Sequence, residues 1–326
     1  IYSVSWNASL PLPGLKDVKM KETSMVECQG NMFNELQYFQ KCQMHVQTMR
    51  QVNLRTVGAH RALDCPTNEV NTSQGHLWGL MRTVAHEVST ACFMSIDVSR
   101  MGATSSFDSV WLSSNILEGR ADLSECHISH GVSFNPVLKR SEVHNRPSSC
   151  STFKNVVIVG GLGTIGKLVA SWLCRNGCDS ATLLGRSGRN TELHDTSSFG
   201  LRMRGIVTML KCDASSLEDI SSLKGSGEDF TSLIHSGGVL SDASLSNQTL
   251  RTQRLVYGSK VDSAHRLHDG LGCYALQQVF YFSSIASLLG SPGQGGYSAA
   301  NAYLDSLSVS LQHTGVGASS IQWGAW

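Results

Sequence analysis

The stretch Phe282-Ser283-Ser284-Ile285-Ala286 is followed by Gly293-Gln294-Gly295-Gly296-Tyr297-Ser298-Ala299-Ala300-Asn301-Ala302-Tyr303-Leu304-Asp305. Tyr297 opens an alanine-rich, helix-like segment, and Asn301, four residues on, shares its face. Ser284 closes a strand-like run thirteen residues before the tyrosine. A serine hydroxyl and a phenol set beside a cation can polarise and protonate a ketone while a nicotinamide delivers hydride. The cation matters, because a phenol with a pKa near 10 relays protons poorly at neutral pH unless positive charge lowers it. Each residue also has a plainer reading, Ser284 as a cap and Tyr297 as core.

A second constellation could hold the nicotinamide. Gly160-Gly161-Leu162-Gly163-Thr164-Ile165-Gly166 follows the strand-like Asn155–Val159 and precedes the helix-like Lys167–Cys174. In Gly161-x-Gly163-x-x-Gly166 the first glycine makes a tight turn and the second lets a pyrophosphate approach the backbone. The third permits close helix packing, and the helix N-terminus then faces the phosphates. A structural turn would use the same glycines. About twenty residues on, a site for NAD carries Asp or Glu for the ribose 2′-hydroxyl. Here that offset reaches Arg186 and Ser187. A guanidinium attracts a 2′-phosphate that a carboxylate would repel, so NADPH is expected over NADH. Arg186 and Arg189 could also simply solvate a loop. Cys212-Asp213 and Ser236-Gly237-Gly238 end the third and fourth strands, where a doubly wound sheet opens its crevice. Asp213 is read either as an acceptor for the adenine amine or as a helix cap.

These residues need an α/β scaffold. Residues 151–326 read as strand-then-helix units with strands at Asn155–Val159, Ser180–Leu184, Ile206–Lys211, Ser232–His235, Val279–Phe282 and Ser319–Trp323. Short β-branched runs without alternation suit a parallel sheet covered on both faces. Residues 1–150 hold 8 of the 31 glycines and the rest of the chain holds 23, which marks the second half as the working half. A polar stretch, Arg146-Pro147-Ser148-Ser149-Cys150-Ser151-Thr152, separates the halves. In the first half, Asn31–Leu63 is expected to be helical in part, a helix starts at Gly75-His76-Leu77-Trp78, and Ala91–Val98 reads as a strand.

Composition excludes several classes. The chain of 326 residues is 41% hydrophobic and 16% charged, with 26 Lys plus Arg against 25 Asp plus Glu, a net charge of +1. Such a chain builds a core and has no global field for nucleic acid or an anionic membrane. No apolar run is long enough to span a bilayer. The chain begins with Ile1, as expected of a piece of something longer. The ten cysteines include no C-x-x-C, and Cys174 and Cys178 are spaced as neighbours on a helix face. They are read as reduced thiols of a cytoplasmic protein. His45, His60, His76, His86, His127, His130 and His144 show no metal spacing.

The motifs resemble the short-chain dehydrogenase/reductase family, whose usual Tyr-x-x-x-Lys is altered here by asparagine at 301. The pattern is similar to the ketoreductase domains of type I polyketide synthases and animal-type fatty acid synthases, where lysine and asparagine exchange places. Lys260, in Tyr257-Gly258-Ser259-Lys260-Val261-Asp262, then supplies the cation, 24 residues before Ser284. Further likeness lies in Ile234-His235-Ser236-Gly237-Gly238-Val239, Ala299-Ala300-Asn301-Ala302 and Trp323-Gly324-Ala325-Trp326. In the first half it lies in Tyr2–Trp6, Trp78-Gly79-Leu80-x-Arg82 and Pro136-Val137-Leu138.

The resemblance implies a doubly wound Rossmann-like catalytic subdomain at 149–326, preceded by a truncated Rossmann-like structural subdomain at 1–148. It implies NADPH-dependent reduction of a β-ketoacyl thioester carried on the phosphopantetheine arm of an acyl carrier protein, among neighbouring synthase domains. Tyr297 then donates the proton, Ser284 clamps the oxygen, Lys260 lowers the tyrosine pKa and holds the ribose, and Asn301 fixes the lysine or a relaying water. Family members giving the D-configured alcohol often carry Leu-Asp-Asp where this chain has Leu240-Ser241-Asp242. The opposite class carries tryptophan at the position of Leu289. Asp242, Leu289 and Gln294 are thus candidates for substrate and stereochemical control, leaning to the D class. The family also continues into a lid and a further strand beyond Trp326, so the fragment is expected to reduce substrate poorly. A non-catalytic scaffold and a freestanding ketone reductase are the alternatives.

Overall fold

The structure, a computed structural model, describes residues 2–7, 49–57, 72–88, 92–98, 125–129, 132–138, 153–187, 206–271 and 276–325. The first half contributes β1 (Tyr2–Asn7), β2 (Met49–Val57), α1 (Thr72–Glu87), β3 (Cys92–Val98), β4 (Glu125–Ser129) and β5 (Val132–Phe134). They form a sheet in the order β1-β2-β3-β4-β5, parallel except for the antiparallel β4–β5 pair. Within Asn31–Leu63, which is expected to be helical in part, Met49–Val57 is a strand. Its Val52, Leu54 and Thr56 recur with a period of two, a strand signal that the surrounding Gln, Met and Leu obscure. Residues 31–48 and 58–63, and the linker 146–152, lie outside the described residues.

The second half follows the expected alternation. It comprises β6 (Asn155–Val159), α2 (Thr164–Arg175), β7 (Ser180–Gly185), β8 (Ile206–Lys211), α3 (Leu217–Gly225), β9 (Ser232–His235) and α4 (Leu250–Tyr257). A π-helical turn (Gly258–Asp262) leads into α5 (Ser263–Leu271), then β10 (Gln278–Ser284), α6 (Ile285–Leu289), α7 (Gly295–His313) and β11 (Gly317–Trp323). The six strands are all parallel, in the order β11-β10-β9-β6-β7-β8. The winding reverses between β6 and β9, the switch point where such sheets open a ligand crevice. Val156, Val157, Ile158 and Leu233 are fully buried, as the runs without alternation predict.

The halves meet along α1 and α7. Gly75 and Gly79 sit one helical turn apart on α1, and a Cβ at either would overlap α7, at Ser306 and at the backbone of Ser298. Small residues at this spacing bring two helix backbones close. Thr83 Oγ1 donates to Ser298 Oγ at 2.9 Å across the same seam.

Among the described residues Cys92, Cys126, Cys174, Cys178 and Cys212 are free thiols. Burial pushes Cys126, Cys178 and Cys212 up to about 11, so they are unreactive near neutral pH. Cys174 and Cys178 do not share a helix face, because α2 ends at Arg175. No described helix is long and apolar enough to cross a membrane.

Candidate active site

β6 delivers the chain to Gly160, whose φ of +70° makes the turn into α2. A Cβ there would lie 2.7 Å from the Cα of Gly237. At Gly166 it would lie 2.5 Å from the Gly160 carbonyl oxygen, so glycine is what lets α2 start this close to the strand. At Gly163 the only neighbour within 4 Å would be the Gly160 oxygen at 3.2 Å. Among the described residues nothing else stands above Gly163. Gly163 is also the N-cap of α2 and offers no side chain to the first-turn amides, which leaves the exposed start at Thr164 and the half-buried Ile165 free for an anion. Leu162 packs instead on Gly185. An open cradle at an uncapped helix N-terminus fits the pyrophosphate of a dinucleotide.

The ends of β6, β7, β8 and β9 enclose a crevice of about 360 Å³ that brings together Gly160, Arg186, Cys212, Asp213, Gly237 and Gly238. Arg186 is exposed at its rim, and Ser187 beside it is exposed too. Asp213 does not cap α3. That place belongs to Ser216, whose hydroxyl accepts the Asp219 amide at 3.3 Å. Asp213 Oδ1 instead accepts both the amide and the hydroxyl of Ser215, at 2.9 and 2.7 Å. Ser236 turns away from the crevice and donates its hydroxyl to Val159 O at 2.8 Å, which holds Gly237-Gly238 against β6.

The reaction-site residues arrive from three elements. Lys260 lies in the π-helical turn and is 3% exposed. A π turn accommodates an extra residue and is often found at functional sites. Here it aims the lysine at the end of β10, where Nζ donates to Phe282 O at 2.9 Å and stands 5.6 Å from the centroid of the Tyr297 ring. Desolvation lowers the amine to about 8, against a smaller upward pull from Asp305. Ser284, two residues beyond Phe282, caps α6 by accepting the Ala286 amide at 3.2 Å. That contact uses a lone pair and leaves the hydroxyl hydrogen to donate.

Asn301 is fully buried on α7, and its Nδ2 donates to Tyr297 O at 2.8 Å. Asn301 is expected to fix the lysine or a relaying water; the Lys260 amine is on Phe282 O, and among the described residues Asn301 Oδ1 has no hydrogen-bond partner. Gln294 Nε2 donates to Asp242 Oδ2 at 2.9 Å, and Leu289 is half exposed.

Sequence reasoning passed over the support behind Lys260. Ser263 donates its hydroxyl to Ser259 O at 2.8 Å, so the 2.6 Å contact between Ser263 Oγ and His235 Nε2 has the imidazole as donor. His235 is fully buried, and desolvation with the neighbouring Lys260 charge depresses it to about 3, which keeps it neutral. The signal was a histidine closing the fully buried strand Ser232–His235.

Set against known proteins, residues 155–326 match the model of the KR domain family. This chain is a ketoreductase domain. It belongs to the short-chain dehydrogenase/reductase superfamily, whose domains bind a nicotinamide cofactor. Among its relatives, polyketide synthase GfsB of Streptomyces halstedii is 32% identical over 184 residues, 55% of this chain and 3% of that protein. The hybrid PKS-NRPS synthetase pynA of Aspergillus niger is 31% identical over 172 residues, 52% of this chain and 4% of that one. The ketoreductase thus spans a small part of the relatives it matches. A solved structure of A-type ketoreductases from a modular polyketide synthase superposes with a TM-score of 0.78 at 26% identity, covering 90% of this chain and 62% of that one.

Proposed function

We propose that this ketoreductase uses NADPH to reduce the β-ketone of an acyl thioester borne on the phosphopantetheine arm of an acyl carrier protein. The product is the β-hydroxyacyl thioester. The observation that carries the reading is the Lys260 amine, delivered by the π turn to 5.6 Å from the Tyr297 ring centroid. The bound dinucleotide supplies the hydride. Tyr297 gives its proton to the oxygen as negative charge develops there, and the Lys260 ammonium stabilises the phenolate left behind. Ser284 donates its remaining hydroxyl hydrogen to the same oxygen. Asn301 Oδ1, buried without a protein partner, is suited to hold a water that returns the proton.

NADPH is supported by the guanidinium of Arg186 at the crevice rim. Asp242, Gln294 and Leu289 are assigned to the substrate mouth. Residues 149–326 carry the chemistry, and 1–148 act as a structural subdomain that braces α7 through α1. The proposed setting is a cytoplasmic multidomain synthase whose neighbouring domains supply and remove the acyl chain. Tyr297→Phe removes the transferable proton and keeps the ring. Turnover of NADPH with a β-ketoacyl thioester mimic should fall about 10²–10⁴-fold, with NADPH affinity nearly intact. Unchanged turnover would sink the assignment.

A further inference from the structure

Segment 287–293, the end of α6 and the turn into α7, lies along the C-terminal half of α1 and is tied to it at every second residue. Arg82 Nη1 donates to Ser287 O at 2.7 Å, and His86 Nε2 donates to Leu289 O at 2.8 Å. The Ser291 amide donates to Thr83 Oγ1 at 3.2 Å, and the Gly293 amide to Glu87 Oε1 at 2.9 Å. A Cβ at Gly290 would stand 2.6 Å from the backbone carbonyl of Arg82, so this segment already lies as close to α1 as it can. The second oxygen of Glu87 accepts the Leu245 amide at 2.5 Å, from the loop after β9. The two loops are also joined to each other, by the Ala243 amide on Gly293 O at 2.8 Å and by Gln294 on Asp242.

One carboxylate of the first half therefore takes a main-chain N–H from the loop that bears Asp242 and another from the α6–α7 turn between Leu289 and Gln294. We infer that Glu87 is a positioning residue for the stereochemical outcome, holding both walls of the substrate mouth in one spacing. The inference rests on the proposed function, which places those three residues against the substrate. Its physics is local. Hydrogen bonds to an ionised acceptor are the stronger kind, and neither segment is paired as a strand among the described residues. Choice between the two faces of a ketone is a difference between two similar transition states, so slack between the walls is read as a changed ratio of products.

Glu87→Gln tests this at constant shape, since one oxygen becomes an NH₂ that confronts an amide N–H. In the full chain without substrate, hydrogen exchange of the Leu245 and Gly293 amides should rise about tenfold or more. With NADPH and a β-ketoacyl thioester, the ratio of the two β-hydroxy epimers should shift about tenfold, while total turnover changes less than about threefold. Unchanged exchange at both amides overturns the inference, and so do loosened amides with an unchanged epimer ratio. A parent chain that reduces no β-ketoacyl thioester overturns the proposed function and this role with it. The exchange measurement, which needs no turnover, tells that failure apart from loops that Glu87 does not hold. Should Glu87→Gln fail to fold, Glu87→Asp keeps the charge one methylene short and is expected to loosen the same amides and move the ratio the same way.

Discussion

Replacing Gly79 by alanine sets two effects of known size against each other. In an exposed helix interior the change would stabilise by about 1 kcal/mol, because glycine loses more backbone entropy than alanine. At Gly79 the new methyl would overlap the carbonyl of Ser298 and stand 2.9 Å from the Ala302 Cβ. Overpacking of this kind costs about 1–3 kcal/mol, and the upper part of that range applies because the obstacle is backbone of α7. The steric cost wins, and Gly79→Ala should destabilise by about 1–2 kcal/mol net. Gly225→Ala is the control, since that glycine ends α3 and has nothing within 4 Å of its would-be Cβ. Thermal unfolding should then move in opposite directions, down by about 2–8 °C for Gly79→Ala and up by a degree or more for Gly225→Ala. The displaced α7 carries Tyr297, so turnover should drop with the first and hold with the second. A Gly79→Ala protein as stable as its parent would refute the reasoning.

Two further outcomes are expected. The Lys260 amine should titrate near pH 8 in the folded chain without cofactor, followed through its side-chain carbon resonance, and a midpoint at the ordinary 10.5 would contradict its burial. Because the unfolded chain holds that proton up to 10.5, it binds more protons than the fold between pH 8 and 10.5, and this group makes the fold more stable as pH rises through that window. If Arg186 holds the 2′-phosphate as proposed, Arg186→Glu should lower the preference for NADPH over NADH by about 10–100-fold in kcat/KM, since an attracting guanidinium is replaced by a repelling charge. An unchanged preference would place the 2′-phosphate elsewhere.

The second half was legible because its central strands, β6, β7 and β9, are buried on both faces. Asn155–Val159, Ile206–Lys211 and Ser232–His235 coincide with β6, β8 and β9, since continuous β-branched runs have few other uses. The strand Met49–Val57 was not marked out, because its two-residue period is short and sits among helix-forming neighbours. The π turn at Lys260 leaves no local mark, because one extra residue hardly changes the spacing of apolar positions. Asp213 could not be resolved as ligand or cap until Ser216 was seen to take the cap. Glu87 was out of reach for a different reason. Its partners stand 158 and 206 residues away in the chain, and nothing near it in sequence announces them.

The glycine-lined seam between α1 and α7 bears on how such domains can be recombined. Cutting at the polar stretch near residue 150 and grafting the second half onto a foreign partner would strip the main chain around Ser298 of its cover, one residue from the proposed proton donor. A chimera that carries residues 72–88 along with 153–325 keeps that cover, whereas one split by strand counts alone inherits a bare groove.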